Sequence, residues 1–185
     1  MYVSSRVWKG DIELSIERIS KDEYYLEIAK TVSKRSTCLK RHYGAVIVNN
    51  DEIIATGYNG NPRGLQNCCD KGVCNRLDKP HNSGDYSDCF SVHAEQNAML
   101  SAARKDMIGA TLYLVGEEEI SSEYCGGAVF SSFFEEIKQG VAPCPICQRM
   151  ILNSGINEVV VRDGLGVKHI LDINKLNGGK LKCTQ

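Results

Sequence analysis

The chain has 185 residues, a length that predicts one domain with a sizeable hydrophobic core. Its 22 Lys and Arg residues against 23 Asp and Glu residues leave a formal net charge of −1, which argues against a nucleic-acid-binding protein. No apolar run is long enough to cross a membrane, and residues 1–10 lack the apolar centre of a signal peptide, so we predict a cytoplasmic protein. Nine cysteines without an export signal favour metal binding over disulfides.

The first half of the chain predicts one helix and one hairpin. Residues 1–20 give no clear prediction. Apolar residues at helical spacing predict a helix over 22–33, with Asp22 as a candidate cap. The apolar runs 45–48 and 53–58, joined by an Asn-Asn-Asp turn, predict a buried β-hairpin.

The second half alternates helices and strands. Residues 61–92 show little periodicity, and a stretch of that length needs another source of order. The predicted elements that follow are a helix from about His93, a strand at 111–115, a helix at 145–153 ended by Gly155, a strand at 158–162 and an extra edge strand at 170–173. This alternation predicts an α/β fold, with helices on both faces of a central sheet.

Two motifs carry the chemistry. His93-Ala94-Glu95 is an H-x-E motif, and Pro143-Cys144-Pro145-Ile146-Cys147 is a P-C-x-x-C motif. An imidazole and two thiolates supply three Zn²⁺ ligands, which leaves the fourth position open for a water whose pKa the metal lowers to about 7. Glu95 is then the candidate proton carrier. Both ligand groups are expected at helix N-termini, where thiolates are favoured.

Each motif has a simpler interpretation when it stands alone. An isolated H-x-E motif is most often the start of a surface helix. An isolated C-x-x-C motif is a redox pair or half of a structural zinc site. The two motifs together, in this order and with a strand between them, favour a catalytic zinc site with His93, Cys144 and Cys147 as ligands.

These segments resemble the cytidine and deoxycytidylate deaminase superfamily, and most of all the deoxycytidylate (dCMP) deaminases. The similarity covers about residues 22–165. Its motifs are Ser36-Thr37-Cys38-Leu39-Lys40-Arg41, Gly44-Ala45-Val46-Ile47-Val48, Gly57-Tyr58-Asn59-Gly60 with Pro62, His93-Ala94-Glu95-Gln96-Asn97-Ala98, and the P-C-x-x-C motif. The resemblance implies a three-layer α/β/α cytidine-deaminase-like fold with a mixed central sheet, and hydrolysis of dCMP to dUMP and ammonia.

Related deaminases give the alternative functions. Cytidine deaminases carry a cysteine where His93 stands, which disfavours the free nucleoside as substrate. Transfer-RNA adenosine deaminases share H-A-E but usually lack the cysteine-rich insert, and guanine and riboflavin-pathway deaminases share the zinc motif. A zinc-binding interaction module without turnover is a further alternative, against which the intact Glu95 argues.

The resemblance also suggests how substrate and effectors bind. Asn59 resembles the residue that binds the sugar hydroxyl, and the alternative is a turn residue before Gly60. Arg35 and Arg41 are candidates for the dCMP phosphate, as are Lys40 and Arg63; a solvated charged turn is the alternative for each. Family members are commonly hexamers or other oligomers, such as dimers, that dCTP activates and dTTP restrains. We expect the same here, with Gly57–Gly60 and the nearby basic residues as the effector region and Mg²⁺ accompanying the nucleotide.

A second, structural zinc is predicted from the remaining cysteines. Cys38 precedes the first predicted strand, Cys68 follows the second, and Cys89 lies four residues before His93. A closed tetrahedral site needs a fourth ligand. Relatives suggest Cys74, with His81 as the second choice and Cys69 as the third. The alternative is a set of reduced, partly buried cysteines.

We expect a single deaminase domain over residues 1–185, with its core at about 22–165 and a cysteine-rich insert at 61–92. The unusual feature is residues 116–142, because the family runs almost directly from the third strand into P-C-x-x-C. This insertion is expected to act as a lid, a subunit contact or a regulatory element.

Overall fold

The computed structural model describes residues 5–9, 12–79, 87–118, 143–162 and 168–172. Over these ranges the elements, in chain order, are β1 (Ser5–Lys9), β2 (Ile12–Ile16), α1 (Lys21–Ser33), β3 (Arg41–Asn49), β4 (Glu52–Tyr58), α2 (Cys68–Lys71), α3 (Ala94–Leu100), α4 (Arg104–Met107), β5 (Thr111–Glu118), α5 (Pro145–Ser154), β6 (Glu158–Arg162) and β7 (Lys168–Asp172). None of these helices is long and apolar enough to span a membrane.

The central sheet is mixed and has the strand order β4-β3-β5-β6-β7. The β5–β6 pair is parallel, and the other neighbours are antiparallel. Strands β3 and β6 centre on the aliphatic runs 45–48 and 159–161, which are buried in both strands. Such runs are typical of strands that are covered on both faces. The predicted hairpin, the strand at 158–162 and the edge strand near 170–173 are confirmed.

Helices cover both faces of this sheet, as predicted. Val46, Val48 and Tyr113 face helix α1, where they pack against Leu26 and Ala29. The alternate strand residues face the other way and pack against helices α3, α4 and α5; they are Ala45, Ile47, Leu112, Leu114, Val159 and Val161. Because side chains alternate along a strand, one sheet supports two separate cores and the fold has three layers.

The structure corrects the predicted start of α1. The cap is Ser20, whose hydroxyl accepts the Glu23 N–H at 3.2 Å, and not Asp22. Asp22 instead accepts a hydrogen bond from the Tyr113 hydroxyl at 3.0 Å, across the helix–sheet interface. A tertiary contact therefore decides between two side chains that are both good caps.

Three other elements differ from the prediction. The helix after His93 ends at Leu100, and α4 begins separately at Arg104. The β1–β2 hairpin lies in a stretch that gave no prediction. Strand β5 runs to Glu118, so the start of the expected 116–142 insertion continues the strand beside β3. Residues 119–142, where the rest of that insertion falls, are outside the described ranges.

Candidate metal centre

Helix α3 places His93 and Glu95. His93 is its N-cap residue, in an extended conformation with ψ of 157°. Two hydrogen bonds between Gly60 and Val92, of 3.1 Å and 2.8 Å, hold the chain just before His93 against the end of β4. Gly57 lets α3 approach β4 closely, because a Cβ at this position would lie 2.3 Å from the Ala94 carbonyl oxygen.

Helix α5 places the two cysteines. Cys144 is its N-cap residue, and its Sγ accepts the Cys147 N–H at 3.5 Å. Pro145 occupies the first helical position, where its missing N–H costs no helical hydrogen bond. The helix ends at Gly155, whose φ of 88° suits a glycine C-cap. The structure therefore places the ligand groups at the starts of two helices, as predicted.

The three predicted ligands converge on one point. The Nδ1 atom of His93 lies 3.5 Å from the Sγ of Cys144 and 3.5 Å from the Sγ of Cys147. Zinc–nitrogen and zinc–sulfur bonds of about 2.05 and 2.3 Å at a tetrahedral angle separate the two donors by about 3.6 Å. The spacing and the chemistry of the donors both fit Zn²⁺. Within the described ranges, this is the one group of three or more candidate ligands whose donor atoms all lie within 4.8 Å of one another.

The pKa values of the two thiols shift in opposite directions. A hydrogen bond from the Cys147 thiol lowers the pKa of Cys144 to about 4, with the His93 imidazole as a further cause, although burial opposes the shift. The hydrogen bond to Cys144 raises the pKa of Cys147, and burial adds to the effect. The hydrogen bond to Cys144 also raises the pKa of His93. The lowered pKa of Cys144 favours the thiolate, the form that binds metal.

Glu95 is buried beside the three ligands. It is 4% exposed, and burial raises the pKa of its carboxyl group. The His93 imidazolium and a hydrogen bond from the Cys147 thiol oppose this shift but do not cancel it. A buried carboxyl group with a raised pKa, two residues from a candidate metal ligand, suits a group that accepts and returns a proton.

Asn59 holds the backbone beside this centre. Its Oδ1 accepts the Tyr43 N–H at 2.8 Å, and its Nδ2 donates to the Arg41 carbonyl at 2.9 Å. The residue is 6% exposed. Both ends of the amide therefore bind β3, which supports a structural role; the predicted contact with a sugar hydroxyl stays a prediction.

The candidate phosphate-binding residues lie in different places. Arg35 and Arg63 line a cavity of about 340 Å³, together with Thr37, Asn97 and the Gly57–Tyr58 dipeptide. Arg41 begins β3, opposite Glu118 of β5. Lys40 donates through its Nζ to the Arg76 carbonyl at 2.7 Å and to the Lys79 carbonyl. Sequence analysis missed this use of Lys40, because nothing in its spacing indicates that an ammonium group binds backbone carbonyls of the cysteine-rich insert.

The four cysteines of the predicted second zinc site are neighbours. Burial raises the pKa of Cys68, and the thiols of Cys74, Cys38 and Cys89 raise it further. Cys68, Cys74 and Cys89 also line a cavity of about 100 Å³. Among these four described cysteines, no three sulfur atoms all lie within 4.8 Å of one another, as the donors of the His93 group do. His81, the alternative ligand, lies outside the described residues.

A mixed sheet between helices, a His/Cys/Cys donor set and an adjacent buried glutamate is the combination that characterises the zinc-dependent nucleobase deaminases. The family model described as "Cytidine and deoxycytidylate deaminase zinc-binding region" matches residues 19–163, and the chain belongs to this family. The predicted resemblance and fold are thereby confirmed.

Individual relatives are similar over most of the chain. The deoxycytidylate deaminase of Schizosaccharomyces pombe is 38% identical over 77% of this chain and 37% of its own length. That of Mycobacterium phage D29 is 37% identical over 75% of this chain and 91% of its own. The crystal structure of the dCMP deaminase of cyanophage S-TIM5 in complex with dCMP and dUMP is 27% identical, with a TM-score of 0.51 over 79% of this chain and 85% of that one. The chain spans less than two fifths of the length of the yeast relatives that it matches.

Proposed function

We propose that this protein is a dCMP deaminase, which hydrolyses dCMP to dUMP and ammonia with a catalytic Zn²⁺. The observation that carries the proposal is the convergence of His93, Cys144 and Cys147 at 3.5 Å donor spacings beside the buried Glu95. The choice of substrate is supported by the curated relatives named deoxycytidylate deaminase and by the cyanophage structure that holds dCMP and dUMP.

The chain's own residues divide the work. His93, Cys144 and Cys147 would hold the metal, which when bound supplies a water of lowered pKa. Glu95 would accept a proton from the attacking water and donate it to N3 of the cytosine ring, while the water oxygen bonds to C4. Glu95 would then take the remaining proton of that oxygen and pass it to the amino group, so that the C4–N bond breaks, ammonia leaves and the ring keeps a carbonyl.

Glu95→Gln tests this assignment. The amide has the size of the carboxyl group but cannot carry the proton, so zinc should remain bound while turnover of dCMP falls by about 10²–10⁴-fold. Zinc content and ammonia release are measured on the same samples. Wild-type protein is assayed in parallel on dCMP, cytidine and a stem-loop RNA. Normal dCMP turnover by the variant, or wild-type turnover on one of the other substrates alone, would refute the proposal.

We also propose a second, structural zinc held by Cys38, Cys68, Cys74 and Cys89, with His81 as the alternative fourth ligand. The effect of the Cys38, Cys74 and Cys89 thiols on the pKa of Cys68 supports it, since it places all four cysteines in one part of the fold. Such a metal would order the cysteine-rich insert. We expect two zinc ions per wild-type chain and one per chain of Cys68→Ser, and the variant should still turn over dCMP. Cys69→Ser tests the third-choice ligand, and it should keep two zinc ions because Cys69 is the exposed neighbour of Cys68. One zinc in the wild type, with reactive Cys38 and Cys89 thiols, would refute the site.

Finally, we propose that the cavity lined by Arg35 and Arg63 is the effector site, where dCTP with Mg²⁺ activates and dTTP restrains a homo-oligomer. Two guanidinium groups in one polar cavity suit a triphosphate, which leaves Arg41 as the candidate for the substrate phosphate. Arg63→Ala should keep basal turnover and lose the response of the dCMP saturation curve to dCTP. Sedimentation tests the assembly, and a monomer would remove that part. A cytoplasmic location stays a prediction, which cell fractionation would test.

A further inference from the structure

Each helix that carries candidate zinc ligands also contains a glutamine whose side chain hydrogen-bonds the backbone at the start of that helix. In α3, the Oε1 atom of Gln96 accepts the backbone N–H of His93 at 3.0 Å. The other end of the same amide, Nε2, lies 3.7 Å from the Sδ atom of Met150 in α5. Gln96 therefore fixes the backbone of the histidine ligand and contacts the helix that carries the cysteine ligands.

The second glutamine acts on the other helix. Gln148 is half-buried, and its Nε2 atom donates to the carbonyl of buried Pro143 at 2.7 Å. Its backbone N–H donates to the Cys144 carbonyl at 2.9 Å. The Gln148 side chain thus binds the residue before Cys144, whereas its backbone bond to Cys144 is the ordinary helical bond that the substitutions below keep.

The two side-chain amides have opposite roles, and the backbone group that each one meets decides whether its oxygen or its nitrogen makes the hydrogen bond. A backbone N–H can only donate, so Gln96 must present its oxygen to His93. A backbone carbonyl can only accept, so Gln148 must present its nitrogen to Pro143. Gln96 acts as an acceptor and Gln148 as a donor.

We propose that Gln96 and Gln148 are positioning residues that fix the His/Cys/Cys donor set before the metal binds. This rests on the metal site of the proposed function. Neither side chain is a zinc ligand or a substrate contact in the proposed mechanism. Partners that orient metal ligands commonly change affinity by about 10–100-fold when they are lost. The alternative is that the two glutamines only stabilise their helices.

Substitution of each glutamine by glutamate tests the proposal, because the same change should speed zinc release at position 148 and leave it unchanged at position 96. Gln96→Glu keeps an oxygen for the His93 N–H, whereas Gln148→Glu places a carboxylate against the Pro143 carbonyl. We expect Gln148→Glu to release zinc to an excess of chelator about tenfold faster than the wild type, and Gln96→Glu to stay close to it. Gln96→Leu removes the acceptor of the His93 N–H, and Gln148→Leu removes the donor to the Pro143 carbonyl. Each variant should release zinc about tenfold faster than the wild type. Arg149→Ala, an exposed change on α5, is the control and should match the wild type.

Zinc release and the thermal unfolding of the metal-free variants are measured together, with dCMP turnover as a separate readout. Faster release at unchanged metal-free unfolding temperatures supports positioning. Equal release from the two glutamate variants, or a lowered unfolding temperature with unchanged release, overturns it. If wild-type protein binds zinc but does not turn over dCMP, the proposed function fails, while the release series still decides the role of the glutamines. A wild type that binds no zinc overturns both.

Discussion

Gly57→Ala tests the packing that positions the catalytic helix. The new Cβ would lie 2.3 Å from the Ala94 carbonyl oxygen and 2.3 Å from the Ala98 nitrogen, whereas ordinary contacts begin at 3.4 Å. Both atoms are backbone of α3, so no change of side-chain rotamer relieves the clash. Strand β4 and helix α3 must separate by about 1 Å, the difference between these distances.

The magnitude follows from this overlap. Overpacking a core typically costs about 1–3 kcal/mol, and two rigid backbone contacts place Gly57→Ala near the upper end. At about 2–4 °C per kcal/mol for a chain of this size, the melting temperature should fall by about 6–12 °C. Because α3 carries Glu95, a displacement of about 1 Å should also lower turnover by about 10²-fold.

Thermal unfolding and dCMP turnover, each measured on folded protein below the transition, check both parts. Glu52→Ala is the control, since Glu52 is exposed on the same strand. It should leave turnover unchanged and melt near the wild-type temperature. If Gly57→Ala melts with the control and turns over dCMP normally, the close approach of β4 and α3 is wrong.

Other predictions concern buried and paired groups. Burial raises the pKa of Glu95, so the ionised form of Glu95 lowers folding stability as pH rises through that pKa. The metal-free Glu95→Gln variant should therefore melt at or above the wild-type temperature at pH 8 and at the wild-type temperature at pH 4. A lower melting temperature of the variant at pH 8 would contradict this. The Arg162 guanidinium lowers the pKa of Glu27, so the contribution of this ion pair to folding stability is lost as pH falls through the lowered pKa. Arg162→Gln should therefore lower the free energy of unfolding by no more than about 1 kcal/mol at pH 7 and by less at pH 3. An equal loss of stability at both pH values would refute the pairing. Asn59→Ala removes the side-chain partner of the Tyr43 N–H and one partner of the Arg41 carbonyl, which also accepts the Ser36 hydroxyl at 3.4 Å, and should cost about 1–3 kcal/mol in denaturant unfolding. A raised KM for dCMP at unchanged stability would instead support a contact with the sugar.

The central sheet could be predicted because its strands are short aliphatic runs between turns. Burial on both faces demands such runs, and residues 45–48 and 158–162 satisfy that demand. The β1–β2 hairpin was missed, although Ile12, Leu14 and Ile16 alternate with polar residues as a half-buried strand does. The end of α3 could not be predicted, because the residues after Leu100 remain good helix formers.

The grouping of His93, Cys144 and Cys147 could be predicted because the chemistry of a zinc site restricts the residue types. Few side chains bind zinc, and a histidine and two cysteines at helix starts can converge whatever the details of packing. The supporting contacts carry no such restriction. Gln96 and Gln148 both contribute an amide, yet one acts as an acceptor and the other as a donor, and only the backbone groups that face them decide which.

Polar residues near the site show why the side chains that contact a substrate are harder to predict than the side chains that bind a metal. A buried polar side chain must find hydrogen-bond partners, and the backbone offers them at every residue. Lys40 binds carbonyls of the cysteine-rich insert and Asn59 binds β3, although their charge and position equally suit a phosphate and a sugar. A cationic or amide side chain in a motif therefore indicates a substrate contact only once its alternative partners are known. Arg41 and Arg35 are open to the same test, by the separate responses of dCMP affinity and of dCTP activation to their removal.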